Sequence, residues 1–342
     1  MTETLQETVE AMCSPGRGIL AADESTGTIT KRFDSIGAES TEASRCAYRE
    51  MLFTTEGLGE HVSGAICFDE TLRQTASDGR PLSQVLTDQG IVPGIKVDKG
   101  LVGLALSEGD QTTQGLDGLG ERLQEYWTLG GRFTKWRAVY HIGDSNPGAA
   151  AYRANAEGLA RYAAISQSEG FVPIVEPEVL MDGSHSLDRC AEVTKLALNS
   201  VFEALAAHNV ALAHMVLKPN MVISGQDAPD RAGVDEVAAR TAEILKECVP
   251  TEVPGIFFLS GGQGDVEATE HLNLMNKDHG PLPWRLSFSY GRALQAPALK
   301  AWGGGEEGVP GGQAALAKRA RLNGAASDGM YSSGMEEEAA AV

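Results

Sequence analysis

The 342-residue chain has few cysteines, only Cys13, Cys46, Cys67, Cys190 and Cys248. Five is an odd number and no pair shows Cys-x-x-Cys spacing, so a disulfide framework is excluded and free thiols in a reducing compartment are expected. Long apolar runs are missing, which excludes a helical membrane span, and the acidic start Met1-Thr2-Glu3-Thr4-Leu5 lacks the basic head of a secretion signal. A cytoplasmic protein is the expectation. Basic residues are also scarce: 28 Lys and Arg stand against 47 Asp and Glu, a net charge of −19. Such a balance disfavours nucleic acid and anionic membrane as partners. Small anions remain open, because at cellular salt distant carboxylates are screened beyond about 8 Å. The seven histidines form no His-x-His or His-x-x-x-His pattern, so neither a metal nor any other cofactor is expected.

What is present is a regular alternation. Short apolar runs recur at 18–22, 62–68, 91–97, 132–139, 171–175, 212–217, 255–259 and 284–288, and between most of them lie stretches with helical apolar spacing, such as 155–168, 188–208, 234–248 and 266–275. Eight strand-helix units predict a parallel sheet closed into a (β/α)8 TIM barrel. No linker or repeat divides the chain, so one domain is expected over 1–326. Residues 2–12 read as an added amphipathic helix with Leu5, Val9 and Met12 on one side, and 327–342 as a flexible tail poor in large apolar residues.

Charges cluster at the predicted strand ends. Lys135 and Arg137 share a face of one strand, Glu176 and Glu178 a face of the next, and Lys218 ends the strand after that. In a barrel these ends meet at the C-terminal mouth, where active sites are built. An ion-pair ladder that merely closes the barrel is the competing explanation. Lys218 follows Met215-Val216-Leu217 and precedes Pro219, so desolvation and the like charge of Lys135 are expected to lower its pKa. A free amine there can attack a ketone and form an iminium. The glycine-rich turn Ser260-Gly261-Gly262-Gln263-Gly264 and the strand end Ser289-Tyr290-Gly291-Arg292 fall after the seventh and eighth strands, the habitual phosphate position of these barrels.

Eight blocks resemble the signature segments of class I fructose-bisphosphate aldolase, in family order. They include Leu20-Ala21-Ala22-Asp23-Glu24-Ser25-Thr26-Gly27, Gly94-Ile95-Lys96-Val97-Asp98-Lys99-Gly100, Lys135-Trp136-Arg137, Val175-Glu176-Pro177-Glu178 and Leu217-Lys218-Pro219-Asn220. The remaining blocks are Thr112-Thr113-Gln114-Gly115, Leu259-Ser260-Gly261-Gly262-Gln263 and Ser289-Tyr290-Gly291-Arg292.

That resemblance implies reversible cleavage of fructose 1,6-bisphosphate, a sugar phosphate, in glycolysis and gluconeogenesis, or in the Calvin cycle if plastidic, by a homotetramer. It implies Lys218 as the Schiff-base lysine, Glu176 as acid and base, and Glu178 as the group orienting both. Lys135 would keep the amine neutral and Asp23 would hold the C4 hydroxyl. Ser260, Gly261 and Arg292, with Ser289 and Gly291 beside them, would bind the C1 phosphate. Ser25, Thr28, Lys96 and Arg137 would steer the sugar and its C6 phosphate, with Glu24 and Arg32 in support. The family's terminal tyrosine has no counterpart, since the last tyrosine is Tyr331 and the chain ends Ala341-Val342; enamine protonation is therefore expected to use another group or to be slower. Alternatives are another Schiff-base barrel lyase or a transaldolase, which would not need the C1-phosphate cluster, and an inactive barrel serving as a scaffold.

Overall fold

The computed structural model of the chain describes residues 4–337. Eight parallel strands close a barrel: β1 (Gly18–Ala22), β2 (Val62–Cys67), β3 (Val92–Lys96), β4 (Phe133–Tyr140), β5 (Val172–Val179), β6 (Val216–Leu217), β7 (Gly255–Phe258) and β8 (Arg285–Tyr290). Each strand pairs with its neighbours in sequence and β8 closes onto β1. Helices pack outside, among them Ala149–Ser168, Leu187–Ala207, Val234–Cys248 and Asp265–Asp278. Strands buried on both faces explain why the apolar runs are continuous instead of alternating.

The barrel interior is narrow, and β3 meets it with a glycine. A Cβ at Gly94 would lie 2.2 Å from the Phe133 ring, so only a glycine lets that ring fill the lower barrel. Below it sits the N-terminal helix Leu5–Met12. Thr4 and Glu7 exchange capping hydrogen bonds that fix where this helix starts. Val9 and Met12 are buried with Ile19, Ile66, Phe133, Ile174, Val216 and Phe257, so the helix plugs the end opposite the strand C-termini. Leu5 packs at the edge of that cluster, and residues 2 and 3 lie outside the described ones.

Two expectations need adjustment. Residues 212–214 form a 3-10 turn instead of the first half of β6. The ladder continues past Leu217 through a bond from Lys218 N to the Val175 carbonyl (2.8 Å); Pro219 has no N–H to donate toward β5, but its carbonyl still accepts from Leu259 N (3.1 Å). The segment from Ser327 onward is docked where it is described, not loose. Tyr331 is buried, and its hydroxyl donates to Glu336 Oε1 (3.0 Å). Arg319 donates to both Glu336 oxygens, at 2.6 and 2.8 Å. Residues 338–342 lie outside the described part of the tail.

Candidate active site

The strand C-termini open into a cavity of about 340 Å³. All sixteen residues singled out from the sequence line it, and among the described residues the only others are Ala21, Met181 and Leu259. Larger cavities exist, including one of about 560 Å³ that shares Ser25 and Lys96 with it. Chemistry, not size, distinguishes the smaller one, since it gathers the buried Lys135, Lys218, Glu24, Glu176 and Glu178.

Each side chain arrives there by position. β4 carries Lys135 and Arg137 two residues apart on its inner face, and β5, in register with Arg137 opposite Glu176, carries Glu176 and Glu178. Lys218 extends from the end of β6, and Asp23 from just past β1. Lys135 Nζ lies 2.6 Å from Asp23 Oδ2 and 3.3 Å from Glu176 Oε2. Lys218 Nζ lies 3.1 Å from the other Glu176 oxygen. One carboxylate thus bridges two lysines, and Lys218 is only 3% exposed.

Burial and charge compete here. Burial raises the Asp23 carboxyl, but Lys135 and Lys218 outweigh it and hold the group well below the usual carboxylate range. Glu176 follows the same pattern: burial pushes it up, while Lys135, Lys218 and Arg137 bring the net shift below the ordinary value. Burial pulls Lys135 down, yet Asp23 and Glu176 more than compensate, so its pKa is raised and it stands as a fixed cation.

Glu178 differs from its expected place. It ion-pairs with the Nε of Arg137 across β4 and β5, and no described contact takes it to Lys218. Lys96 likewise folds onto Asp98, 2.5 Å away, a partner the sequence reading passed over. Arg32 pairs with Glu24, whose other oxygen meets Arg49 at 3.2 Å. Ser25 and Thr28 hydroxyls lie 3.2 Å apart at the start of the helix Thr26–Asp34.

On the opposite wall, β7 runs into Ser260–Gly262. Gly262 has φ +76°, and a Cβ there would lie 2.5 Å from Met181 Cγ, so the turn requires glycine at this point. The N–H groups of Gly261 and Gly262 make no hydrogen bond among the described residues. Ser289 Oγ is buried and also unpartnered among them. Arg292 begins the next helix beside Gly291 and has no carboxylate partner among the described residues. Unused donors converging on one wall suit an oxyanion. The cavity lining holds six cations, Arg32, Lys96, Lys135, Arg137, Lys218 and Arg292, against the four carboxylates Asp23, Glu24, Glu176 and Glu178, in a chain whose net charge is −19. No group of three His, Cys, Asp or Glu that could hold a metal occurs among the described residues, and no described helix is long and apolar enough to cross a membrane.

The family model for class-I fructose-bisphosphate aldolase matches residues 4–342. The chain belongs to that family. Aldolases of known sequence match it over nearly their whole length. A Xanthomonas campestris pv. campestris protein named "Probable fructose-bisphosphate aldolase class 1" is 53% identical over 330 residues, 96% of this chain and 98% of that one. Fructose-bisphosphate aldolase 1 of Toxoplasma gondii is 53% identical, covering 98% and 92%. Arabidopsis thaliana fructose-bisphosphate aldolase 5, cytosolic, is 51% identical, covering 99% and 94%. The solved aldolase of Plasmodium falciparum, determined in complex with TRAP and a small-molecule inhibitor, superposes with a TM-score of 0.94 at 47% identity, over 96% and 95% of the two chains.

Proposed function

We propose that this aldolase cleaves fructose 1,6-bisphosphate reversibly to dihydroxyacetone phosphate and glyceraldehyde 3-phosphate through a Schiff base on Lys218. The observation that carries this reading is the buried Lys218 amine, 3.1 Å from Glu176, in a cavity whose far wall presents unused hydrogen-bond donors.

The Glu176 carboxylate takes a proton from the Lys218 nitrogen, the amine adds to the C2 ketone, and Glu176 returns that proton to the carbinolamine hydroxyl, which leaves as water. The resulting iminium withdraws the electron pair of the C3–C4 bond as the Glu176 carboxylate takes the C4 hydroxyl proton. Glyceraldehyde 3-phosphate leaves, C3 of the enamine is protonated, and water releases dihydroxyacetone phosphate. Asp23 holds the C4 hydroxyl. Lys135 contributes as a fixed cation that keeps Asp23 and Glu176 ionised, consistent with its raised pKa. Ser260, Gly261, Ser289, Gly291 and Arg292 receive the C1 phosphate, while Ser25, Thr28, Lys96 and Arg137 face the C6 end. Glu178 acts by aiming Arg137, and Glu24 does the same for Arg32.

A homotetramer in the cytoplasm, serving glycolysis and gluconeogenesis, completes the proposal; its support is the family and the cytosolic relative named above. Steady-state cleavage of fructose 1,6-bisphosphate, followed by triose-phosphate release, tests the reading. Activity in the wild type and its loss in Lys218→Met are expected, and an inactive wild-type chain would favour a scaffold.

A further inference from the structure

Asp23 lies in a stretch that the sheet does not hold. β1 pairs with β8 only as far as Leu20 and with β2 as far as Ala22, so the ladder ends one residue before the carboxylate. Something else must fix the backbone there, because a misplacement of about 1 Å in such a group can cost about 100-fold in rate.

We propose that Arg49 is a positioning residue for Asp23, acting from outside the barrel on the peptide groups to either side of it. Arg49 belongs to the helix Glu42–Phe53 and is fully buried. Its Nε donates to the Ala22 carbonyl (3.3 Å), and its Nη2 donates to the Glu24 carbonyl (3.1 Å) and to Glu24 Oε2 (3.2 Å). An arginine buried only to neutralise Glu24 would need only the carboxylate. Here one rigid planar fork also spans the two carbonyls that bracket Asp23.

A second clamp works with it. Gln295, three residues beyond Arg292 on the helix Arg292–Trp302, donates Nε2 to the Ala21 carbonyl (2.6 Å) and to Glu24 Oε1 (2.9 Å). Its own Oε1 accepts from the Tyr48 hydroxyl at 3.1 Å, next to Arg49 on the helix Glu42–Phe53. The carbonyls of Ala21 and Ala22 before Asp23, and the carbonyl and carboxylate of Glu24 after it, are thereby tied to two helices. The segment can neither slide along the barrel nor rotate Asp23 away from Lys135. Lysine at 49 would keep the charge but could not span both carbonyls.

The inference rests on the reading that Asp23 acts when the C3–C4 bond breaks, so Asp23→Asn is the reference variant. The experiment compares the full-length wild type with Arg49→Lys, Gln295→Met, Asp23→Asn and the double variant Asp23→Asn/Arg49→Lys. Three quantities are read: kcat and KM for fructose 1,6-bisphosphate, borohydride trapping of dihydroxyacetone phosphate on Lys218, and the thermal midpoint. Arg49→Lys is expected to lower kcat about 10- to 100-fold, with KM and trapping within about twofold of wild type. Gln295→Met shows the same split with a smaller drop. The double variant is no slower than Asp23→Asn alone, because two residues acting through one group are not additive. Unchanged kcat in a folded Arg49→Lys variant, or a double variant that loses a further factor, overturns the proposal. So does equal loss of trapping and cleavage, which marks general disruption of the fold. If Arg49→Lys does not fold, the kcat split in Gln295→Met decides. Should Asp23→Asn itself cleave normally, the role assigned to Asp23 fails first and this inference falls with it.

Discussion

Lys135 and Asp23 meet across the barrel mouth, Nζ to Oδ2 at 2.6 Å, and the same ammonium lies 3.3 Å from Glu176. Against burial, which raises both, it is the foremost of the cations, ahead of Lys218, that bring the two carboxylates below their ordinary pKa. Replacing it by Met leaves two buried carboxylates short of a partner. Cleavage is expected to fall at least about 100-fold, and stability by about 3 kcal/mol. Steady-state rates and urea unfolding measure the two losses; near-normal turnover in Lys135→Met would contradict the arrangement.

Glu178 offers a sharper test, because the expected contact with the lysine gave way to an ion pair with Arg137. If it acts by aiming Arg137 at a distal phosphate, Glu178→Gln raises KM for fructose 1,6-bisphosphate about tenfold, or about 1.4 kcal/mol. Turnover stays near wild type, and fructose 1-phosphate, which lacks that phosphate, is barely affected. An equal fall in kcat for both substrates would place Glu178 in the chemistry.

The barrel and the set of residues that line its mouth were readable in the sequence for one physical reason: strand ends are both apolar and chemically marked. Lys218 ends an uninterrupted apolar run before a proline, and Lys135 and Arg137 alternate within a strand that has no other use for charge. Arg49 was not readable, because an arginine within a helix looks like a solvated charge until tertiary packing shows it fully buried. The docked tail escaped notice for a similar reason. A single aromatic, Tyr331, and a single carboxylate, Glu336, hold it, and composition cannot register two residues. Residues 212–217 looked like one strand, but only Val216 and Leu217 pair with neighbours.

Tail docking has a measurable consequence. Arg319 is almost wholly buried, and besides Glu336 it reaches the Asp265 carbonyl (3.0 Å) and Thr269 Oγ1 (2.6 Å). Glu336→Gln, or removal of 333–342, is expected to cost about 2 kcal/mol of stability by stripping a buried cation of its carboxylate. Turnover of the folded fraction stays nearly unchanged, since Arg319, Tyr331 and Glu336 do not line the cavity at the barrel mouth. Urea midpoints unchanged by either alteration would show the contact to be energetically neutral.

His271 sets an acid limit on the fold. Burial depresses its pKa from 6.5 to about 4, and its Nδ1 lies 2.7 Å from Gln263 Oε1 in the turn after β7. Between those values the unfolded chain binds a proton that the folded one refuses. Stability therefore falls as pH drops from 6.5 toward 4 and gains nothing further above 6.5, a total of about 3 kcal/mol. Urea unfolding of the wild type and His271→Asn across that window should give a flatter profile for the variant. Parallel profiles would rule out a buried neutral histidine.

Covalent capture of the amine tests the central claim most directly. Borohydride reduction in the presence of dihydroxyacetone phosphate, followed by peptide mapping, is expected to leave one stable adduct, on Lys218, and none in Lys218→Met. An adduct on Lys135 or elsewhere, or no adduct in an enzyme that still cleaves fructose 1,6-bisphosphate, would contradict it.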